Sequence, residues 1–289
     1  MFDNHLQKIP VGRFAPSPSG RMHLGNIFTA YMSWKSVKER GGRWILRIED
    51  LDPQRSRIEY ARQIEDDLCW LGLDWDEGGL DDFGPNAPYS QSKRGDIYRF
   101  YFDKLIEKGV IYSCRCRRAD IMATQAPHQS DGRIIYSGTC RPSDTPPFRN
   151  TVVDDLSARI YVPDRIIEFE DALCGIRRVS LVQECGDFVV RRADGAWAYQ
   201  LAVVVDDALM GVNEVVRGRD LLLSAAQQIY LYELLGWDAP VYAHVPLICN
   251  ENGVRLSKRD ASAGMDALRK KYTPSGLRNM LEEMSQTML

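Results

Sequence analysis

The fold is decided by VGRFAPSPSGRMHLGN, residues 11–26. Its first residues, Val11 to Ala15, predict a short strand. A loop rich in proline and serine follows, and from about Asn26 apolar residues recur at helical spacing. The segment WILRIE, residues 44–49, is then a second buried strand. Strand, helix and strand together predict a βαβ unit, the opening of a parallel, Rossmann-type sheet.

The rest of the chain predicts an α/β protein whose sheet is interrupted by an insertion. We expect residues 8–109 and 188–248 to form the two halves of a Rossmann-type catalytic domain. Residues 110–187 carry clustered cysteines and a proline-rich stretch, which indicates an inserted subdomain. Residues 249–289 are expected to form a basic loop and a terminal helical segment.

Two segments of the second half carry predictions of their own. The run FVVRRADGAWAYQLAVVVDD, residues 188–207, predicts a hairpin that turns at Asp194 and Gly195 and returns into the core. The segment VPLICN, residues 245–250, predicts a strand. An apolar helix is expected between them, from Leu221 to Leu235.

Composition sets the broad class. The chain has 289 residues, 44% of them hydrophobic, which is enough for a sizeable core. It contains neither an apolar run of membrane-spanning length nor an apolar leader, so a cytoplasmic monomer with no membrane partner is expected. A protein that binds nucleic acid by charge alone would normally be basic, whereas this chain has a net charge of −3. Local arginine clusters such as CRCRR, residues 114–118, are either phosphate contacts or solvated surface.

Two segments predict contacts to phosphate. The loop at residues 16–26 presents His23 at the start of a helix, where free N–H groups favour an anion, and Gly25 allows close backbone approach. Late in the chain, RLSKRD, residues 255–260, brings Lys258 between two arginines. Such a loop can neutralise the charge that moves to pyrophosphate, although alone it would be interpreted as solvated surface.

Three of the seven cysteines lie close together in the sequence, at Cys114, Cys116 and Cys140. Because zinc in structural sites prefers thiolates, this cluster predicts one structural Zn²⁺ site in the insertion. The alternative is three buried free thiols.

The ordered motifs resemble those of a known enzyme family. HLGN and RLSKR are similar to the HIGH and KMSKS signatures of class I aminoacyl-tRNA synthetases. RFAPSPSGRMHLG, RIEDLD, YQLAVVVDD and EVVRG resemble the glutamyl/glutaminyl branch of that family. The resemblance implies an enzyme that activates L-glutamate with ATP, accompanied by Mg²⁺, and passes the glutamyl group to tRNA.

The resemblance also implies a glutamate pocket. Arginine forks suit the two carboxylates of the substrate, a carboxylate suits its ammonium group, and a phenol can donate a hydrogen bond. The matching residues are Arg13, Ala15, Ser17, Glu49, Tyr199 and Arg217. Mutual pairing of Arg13 with Glu49 is the structural alternative. Asp206 and Asp207 lie beside these residues in the sequence and receive no role.

For ATP, the resemblance implies a set of contacts in which His23 and Lys258 are catalytic. The expected ATP-binding residues are His23, Gly25, Asn26, Arg255 and Lys258. Asn26 departs from the family pattern, which has a second histidine, and an asparagine cannot carry charge there. Arg255 stands in the place of a lysine and keeps its charge.

A shortened branch, the glutamyl-Q tRNA(Asp) synthetases, resembles the chain more closely. In that branch a tyrosine completes the zinc site, which implies Tyr136 as the fourth ligand, with His128 as the rival. Only 31 residues follow Lys258, so no anticodon-binding domain is expected. The resemblance implies transfer of glutamate to the queuosine base in the anticodon stem-loop of tRNA(Asp).

Three other functions stay open at this point. The chain could be a minimal glutamyl-tRNA synthetase that charges tRNA(Glu). It could join activated glutamate to a small-molecule acceptor, or be a zinc-stabilised RNA-binding module without catalysis. The last is disfavoured because binding alone would not require an ATP loop.

Overall fold

The computed structural model describes residues 9–117, 135–149, 152–249 and 264–288. Within these ranges no helix combines the length and the apolar character that a membrane crossing requires. Arg255, Lys258 and His128 lie outside the described residues.

Two sheets form the core, and the first is parallel throughout, as the opening βαβ unit predicts. The first contains β1 (Val11–Phe14), β2 (Arg43–Leu46) and β3 (Glu77–Gly78). The second has the order β7-β6-β10-β9, and its strands are β6 (Ile166–Asp171), β7 (Gly175–Ser180), β9 (Glu214–Gly218) and β10 (Val241–Val245). All neighbours are parallel except β6 and β7, which form an antiparallel hairpin. The sheets meet where the Asn213 N–H donates to the Val11 carbonyl at 3.0 Å.

Helices cover these sheets on both faces. They are α1 (Leu24–Lys38), α2 (Ile58–Leu71), α3 (Gly95–Glu107), α4 (Tyr199–Leu209), α5 (Leu222–Leu235), α6 (Met265–Lys271) and α7 (Pro274–Met288). Gly72 and Gly236 end α2 and α5 in the left-handed conformation, with φ of 68° and 74°. Because glycine adopts positive φ without a steric penalty, these two helix ends were predictable from the sequence.

A third, antiparallel sheet holds the cysteine-bearing region. It consists of β4 (Ile111–Cys114), β5 (Ser157–Ile160) and β8 (Val189–Arg191), in that order. Its strands do not follow the predicted boundaries of the insertion, 110–187. β8 lies after residue 187 and pairs with β5, whereas β6 lies before it and pairs with β10 of the core.

Two predictions about the second half are corrected. The turn at Asp194 and Gly195 exists, and it brings Arg191 opposite Trp197. The return of this hairpin is short and ends at Ala198, and the segment that follows it is helix α4 and not a strand. Its central residues 201–207 are all buried, so its apolar run carries no helical periodicity. The last core strand in the described part of the chain is β10 at 241–245, and the segment predicted as a strand, 245–250, begins at the residue where β10 ends.

The carboxyl ends of the parallel strands lie at one edge of the core. Residues just after β1, β2, β9 and β10 all line a single cavity of about 400 Å³. This is the edge at which open α/β sheets bind ligands, because loops after successive strands meet there. The fold therefore assembles a site from segments that are distant in sequence.

Candidate active site

All described residues of the predicted glutamate and ATP sites line this one cavity. They are Arg13, Ala15, Ser17, His23, Gly25, Asn26, Glu49, Tyr199 and Arg217. Of the predicted ATP contacts, Arg255 and Lys258 remain untested because they lie outside the described residues. Leu247 and Ile248, just before that segment, also line the cavity. Just after it, Gly264 forms an antiparallel bridge with His23.

His23 is held at the start of α1 by reciprocal backbone contacts. Its Nδ1 accepts from the Gly25 N–H at 3.1 Å, and the Asn26 side chain accepts from the His23 N–H at 3.2 Å. This is a capping box, which satisfies two N–H groups at the helix end. Asn26, where the related motif has histidine, thus serves the geometry of His23. Because Nδ1 is the acceptor, the proton of the neutral ring lies on Nε2.

This turn leaves little room for a side chain at Gly25. A Cβ on Gly25 would lie 3.0 Å from Cε1 of His23. Helix α1 also has basic residues, Lys35 and Lys38, in its last turn and no acid in its first. That distribution complements the helix dipole and leaves the N-terminal end at the cavity favourable to an anion.

A buried ionic network orients Arg13 and Glu49. Arg13 pairs with Asp207 at 3.4 Å, and Glu49 accepts from Arg47 at 3.2 Å. Arg47 also donates to Asp207 at 2.6 Å, which joins the two pairs. Each of the two cavity residues is therefore held by its own partner, and the alternative of Arg13 pairing with Glu49 is replaced by a shared scaffold around Arg47.

The adjacent aspartate extends the same network away from the cavity. Asp206 accepts from Arg94 at 2.6 Å, from Tyr98 at 2.8 Å and from Gln91 at 2.9 Å. Asp206 and Asp207 thus have roles that the sequence did not reveal, as the buried anions of a structural network. The signal was present, since two consecutive acids in an apolar helix must find buried cations.

Burial and charge act in opposition on these carboxyl groups. Burial raises the pKa of Glu49, although Arg47 and Arg13 pull it downward. Burial also disfavours the charge of Asp207, but Arg47 and Arg13 outweigh it and hold the pKa of that carboxyl below its usual value. Burial raises the pKa of Tyr199 as well, so its phenol stays protonated and can donate in the cavity.

Arg217 is held by a separate set of contacts. Its Nε donates to His244 Nε2 at 3.0 Å, and one terminal nitrogen donates to Gln228 at 2.7 Å. The other terminal nitrogen donates to the Leu221 carbonyl at 3.2 Å. Sequence reasoning missed His244 and Gln228. The available signal was a titratable residue inside the apolar strand VYAHV.

A second cavity, of about 740 Å³, adjoins the first and shares Ser17, Glu49 and Tyr199 with it. Its other walls carry three arginines and an aromatic residue, namely Arg55, Arg159, Arg192 and Trp197. Cations and a half-buried aromatic ring suit phosphates and a stacked base.

The cysteine cluster is brought together by the β4-β5-β8 sheet and the loop at 135–149. The three Sγ atoms of Cys114, Cys116 and Cys140 lie within 4.8 Å of one another. The Cys116–Cys140 separation is 3.6 Å, and tetrahedral zinc thiolates about 2.3 Å from the metal stand about 3.8 Å apart. The Tyr136 hydroxyl lies 3.4 Å from the Cys114 sulfur and 4.0 Å from the Cys116 sulfur. These four donors therefore fit one tetrahedral cation.

The protonation of the cluster is uneven. Burial disfavours a thiolate, but hydrogen bonds from the Arg115 backbone and from Tyr136 lower the pKa of Cys140 to about 7. Burial raises the pKa of Cys116 to about 11 and raises that of Tyr136 further from its usual value. A bound cation would favour the anionic forms of Cys116 and Tyr136, which burial disfavours.

Comparison with known proteins agrees with this geometry. Residues 10–287 match the family of class I tRNA synthetases (E and Q), catalytic domain. A Glutamyl-Q tRNA(Asp) synthetase from Symbiobacterium thermophilum is 48% identical over 263 residues, covering 89% of this chain and 80% of that protein. A Glutamate–tRNA ligase from Sulfurihydrogenibium sp. is 41% identical over 261 residues, covering 89% of this chain and 54% of that protein.

A solved structure gives the same result for the fold. The crystal structure of the glutamate–tRNA synthetase from Elizabethkingia anophelis superposes with a TM-score of 0.79 at 32% identity. The match covers 95% of this chain and 61% of that one, so the chain spans less than two thirds of the solved protein. The two proteins share their fold, and the chain belongs to the class I tRNA synthetases of the glutamyl and glutaminyl (E and Q) catalytic-domain family, a family of enzymes.

Proposed function

We propose that this chain, acting as a monomer, activates L-glutamate with ATP and transfers the glutamyl group to the queuosine base of tRNA(Asp). The observation that carries the proposal is the cavity in which two buried arginines, Arg13 and Arg217, face one buried acid, Glu49. Free glutamate has two carboxylates and one ammonium group, so this set of charges complements it. The names of relatives such as that from S. thermophilum support the choice of acceptor.

In the activation step a glutamate carboxylate oxygen attacks the α-phosphorus of ATP. A new P–O bond forms as the bond from the α-phosphorus to the oxygen of the β-phosphate breaks, and pyrophosphate leaves with the electron pair. In the transfer step the acceptor attacks the glutamyl carbonyl carbon, the acyl–phosphate C–O bond breaks, and AMP leaves. Arg13 and Arg217 would hold carboxylates, Glu49 the ammonium group and Tyr199 a substrate oxygen, with Ala15 and Ser17 lining the same pocket. No protein nucleophile is required, because position and charge stabilise the transition state.

ATP would lie at the start of α1. His23 Nε2 would donate to a phosphate oxygen, Gly25 would leave room for it, and Asn26 would keep the histidine in place. Arg255 and Lys258 remain predicted partners of the leaving pyrophosphate. Class I synthetases use ATP with Mg²⁺, which would accompany the triphosphate without a dedicated protein cage.

The second cavity supports an RNA acceptor over a small one. A glutamyl-adenylate in the first cavity would be reached past Tyr199, which both cavities share. The acceptor nucleotide would enter along Arg55, Arg159, Arg192 and Trp197. A small amine would need neither three cations nor an aromatic wall.

We further propose that Cys114, Cys116, Cys140 and Tyr136 bind one structural Zn²⁺. The sulfur separations support this, and tyrosine satisfies the fourth position without His128, which lies outside the described residues. Bound zinc would tie the loop at 135–149 to β4. Arg159 lies over the Tyr136 ring at 3.8 Å, so the same tie would steady one wall of the second cavity.

The test is transfer of labelled glutamate, with ATP, to tRNA(Asp) carrying or lacking queuosine, with tRNA(Glu) alongside. The proposal expects label only on the queuosine-containing tRNA(Asp). Label on tRNA(Glu) would identify a minimal charging enzyme, the alternative function that the name of the Sulfurihydrogenibium relative supports. Glutamate-dependent pyrophosphate release without label on any tRNA would favour a small-molecule acceptor, and no release would exclude catalysis.

A pair of variants tests the acceptor cavity separately. Arg55→Ala should reduce transfer to tRNA while ATP–pyrophosphate exchange stays at the level of the unmodified protein. Arg62, an exposed arginine on α2 that does not line the cavity, provides the matched control. Equal transfer by Arg55→Ala and Arg62→Ala would show that the acceptor does not bind in this cavity.

A further inference from the structure

We infer that His244 and Asp171 are positioning residues that set the orientation of Arg217 for glutamate, an inference that rests on the proposed function. Neither residue lines either of the two cavities. Both are buried, with relative exposures of 0% and 1%. They would act only through Arg217, and neither would touch the substrate.

The three side chains come from three adjacent parallel strands. Arg217 in β9 and His244 in β10 are direct register partners. Asp171 ends β6, the neighbour of β10 on its other side, and is the register partner of Tyr242. Because paired residues of adjacent parallel strands project from the same face of a sheet, the sheet itself aligns the three groups in a row.

Hydrogen bonding at both ends of the row selects one tautomer of His244. Oδ1 of Asp171 accepts from the backbone N–H groups of Leu173 at 3.1 Å, Cys174 at 2.8 Å and His244 at 3.2 Å. Oδ2 lies 2.5 Å from Nδ1 of His244. A carboxylate can only accept, so Nδ1 carries the ring proton and Nε2 is left as an acceptor.

The arginine end requires the same tautomer. Arg217 donates its Nε–H to Nε2 of His244 at 3.0 Å, and an arginine in a protein is always a donor. Burial disfavours both charged forms. It lowers the pKa of His244, whereas hydrogen bonding from His244 outweighs burial at Asp171 and holds that pKa at about 2. The contacts of His244 with Asp171 and with Arg217 therefore both require a neutral histidine beside an ionised aspartate.

This row, with two further acceptors, fixes the plane of the guanidinium. Gln228 and the Leu221 carbonyl each take one proton from a terminal nitrogen, and the Tyr242 ring lies 5.0 Å from the guanidinium carbon. Each terminal nitrogen also carries a second N–H. In the described part of the chain, these two N–H groups can donate to a ligand in the cavity. An arginine held in this way presents a fixed fork, and it cannot move to follow a dicarboxylate shorter by one methylene.

Asp171→Asn tests the inference with almost no change of shape. The amide oxygen can keep the three backbone contacts of Oδ1, while the NH₂ group replaces Oδ2 and donates to Nδ1. His244 is then forced to carry its proton on Nε2, where it opposes the Arg217 N–H. We expect the KM for glutamate in ATP–pyrophosphate exchange to rise about tenfold, with the KM for ATP unchanged and the preference for glutamate over aspartate reduced.

Asp187→Asn is the matched control, since Asp187 is an equally buried aspartate in the insertion, bonded to Tyr112 and Val162. It should leave the KM for glutamate unchanged. A folded Asp171→Asn variant with the parent KM for glutamate would overturn the inference. Should that variant fail to fold, His244→Gln and His244→Asn replace it. The longer amide reaches the position of Nε2 and should keep the KM within about threefold, whereas the shorter one should raise it, and equal values would reject the inference.

A spectroscopic readout separates this inference from the proposed function. The chain has four histidines, so ¹⁵N-histidine NMR can resolve the His244 ring. The expected spectrum has a protonated Nδ1 and an acceptor Nε2 in the parent protein, reversed in Asp171→Asn. A parent protein with its proton on Nε2 would overturn the inference even if glutamate is activated. Absence of glutamate-dependent exchange in a parent protein with the expected tautomer would instead reject the proposed function.

Discussion

Replacing Arg47 by methionine should destabilise the protein far more than any exposed ion pair could. Arg47 has a relative exposure of 0% and lies among three acids: Asp207 at 2.6 Å, Glu49 at 3.2 Å and Asp206 at 3.7 Å. Methionine keeps the aliphatic part of the side chain but lacks the guanidinium, so the variant loses the charge and leaves the space at the end of the side chain unfilled. Glu49 loses the cation that donates to it, whereas Asp207 retains Arg13 and Asp206 retains Arg94.

The magnitude follows from these contacts. Breaking a buried ion pair by removing one partner costs about 3–5 kcal/mol, because the remaining charge is left uncompensated. Two of the three acids keep another cation, so the cost should fall within this range and not exceed it. Arg165→Met is the matched control. Arg165 and Glu233 are 2.5 Å apart, but their side chains are 46% and 44% exposed, and such a pair contributes less than about 1 kcal/mol.

Urea unfolding at pH 5 and pH 8 measures both the loss and its origin. Burial already raises the pKa of Glu49 in the presence of Arg47, and removal of that cation should raise it further. A carboxyl group whose pKa is higher in the folded state binds more protons there, so stability falls as the pH rises. Arg47→Met should therefore cost more at pH 8 than at pH 5. A loss no larger than that of Arg165→Met, or one independent of pH, would refute the assignment of Arg47 as the centre of a buried network.

Three further outcomes are expected. Lys258→Ala should lower the rate of glutamate-dependent pyrophosphate exchange by orders of magnitude with little effect on glutamate binding, and unchanged turnover would exclude the loop from ATP chemistry. Arg217→Ala should raise the KM for glutamate about ten- to hundredfold, because losing a hydrogen bond to a charged group weakens binding by about that factor. An unchanged KM in the same exchange assay would argue against this pocket as the glutamate site. Cys140→Ser should lower both zinc content, measured by elemental analysis, and the melting temperature, whereas Cys69→Ser, at an exposed thiol, should change neither; full zinc in Cys140→Ser would remove that residue from the ligand set.

The sequence by itself determined the elements and many of their ends. The βαβ opening, the glycines that end α2 and α5, and the strand at 214–218 were each predictable, because hydrophobic period and glycine conformation are local properties. The residues proposed for glutamate and for the start of α1 could also be named from ordered motifs. Local signals were insufficient where a segment is buried on all sides, and helix α4 could therefore not be predicted from its apolar run.

Only the tertiary structure decided which side chains pair with one another. Arg47, Asp207, His244 and Asp171 act through partners on other strands and helices, up to 194 positions away for Asp207 and Arg13. Strand order and register place those partners together, and neither property is encoded in any short window of sequence. Burial then makes the pairings consequential, because a charge removed from water must find a counter-charge, and the one it finds sets the geometry of the site.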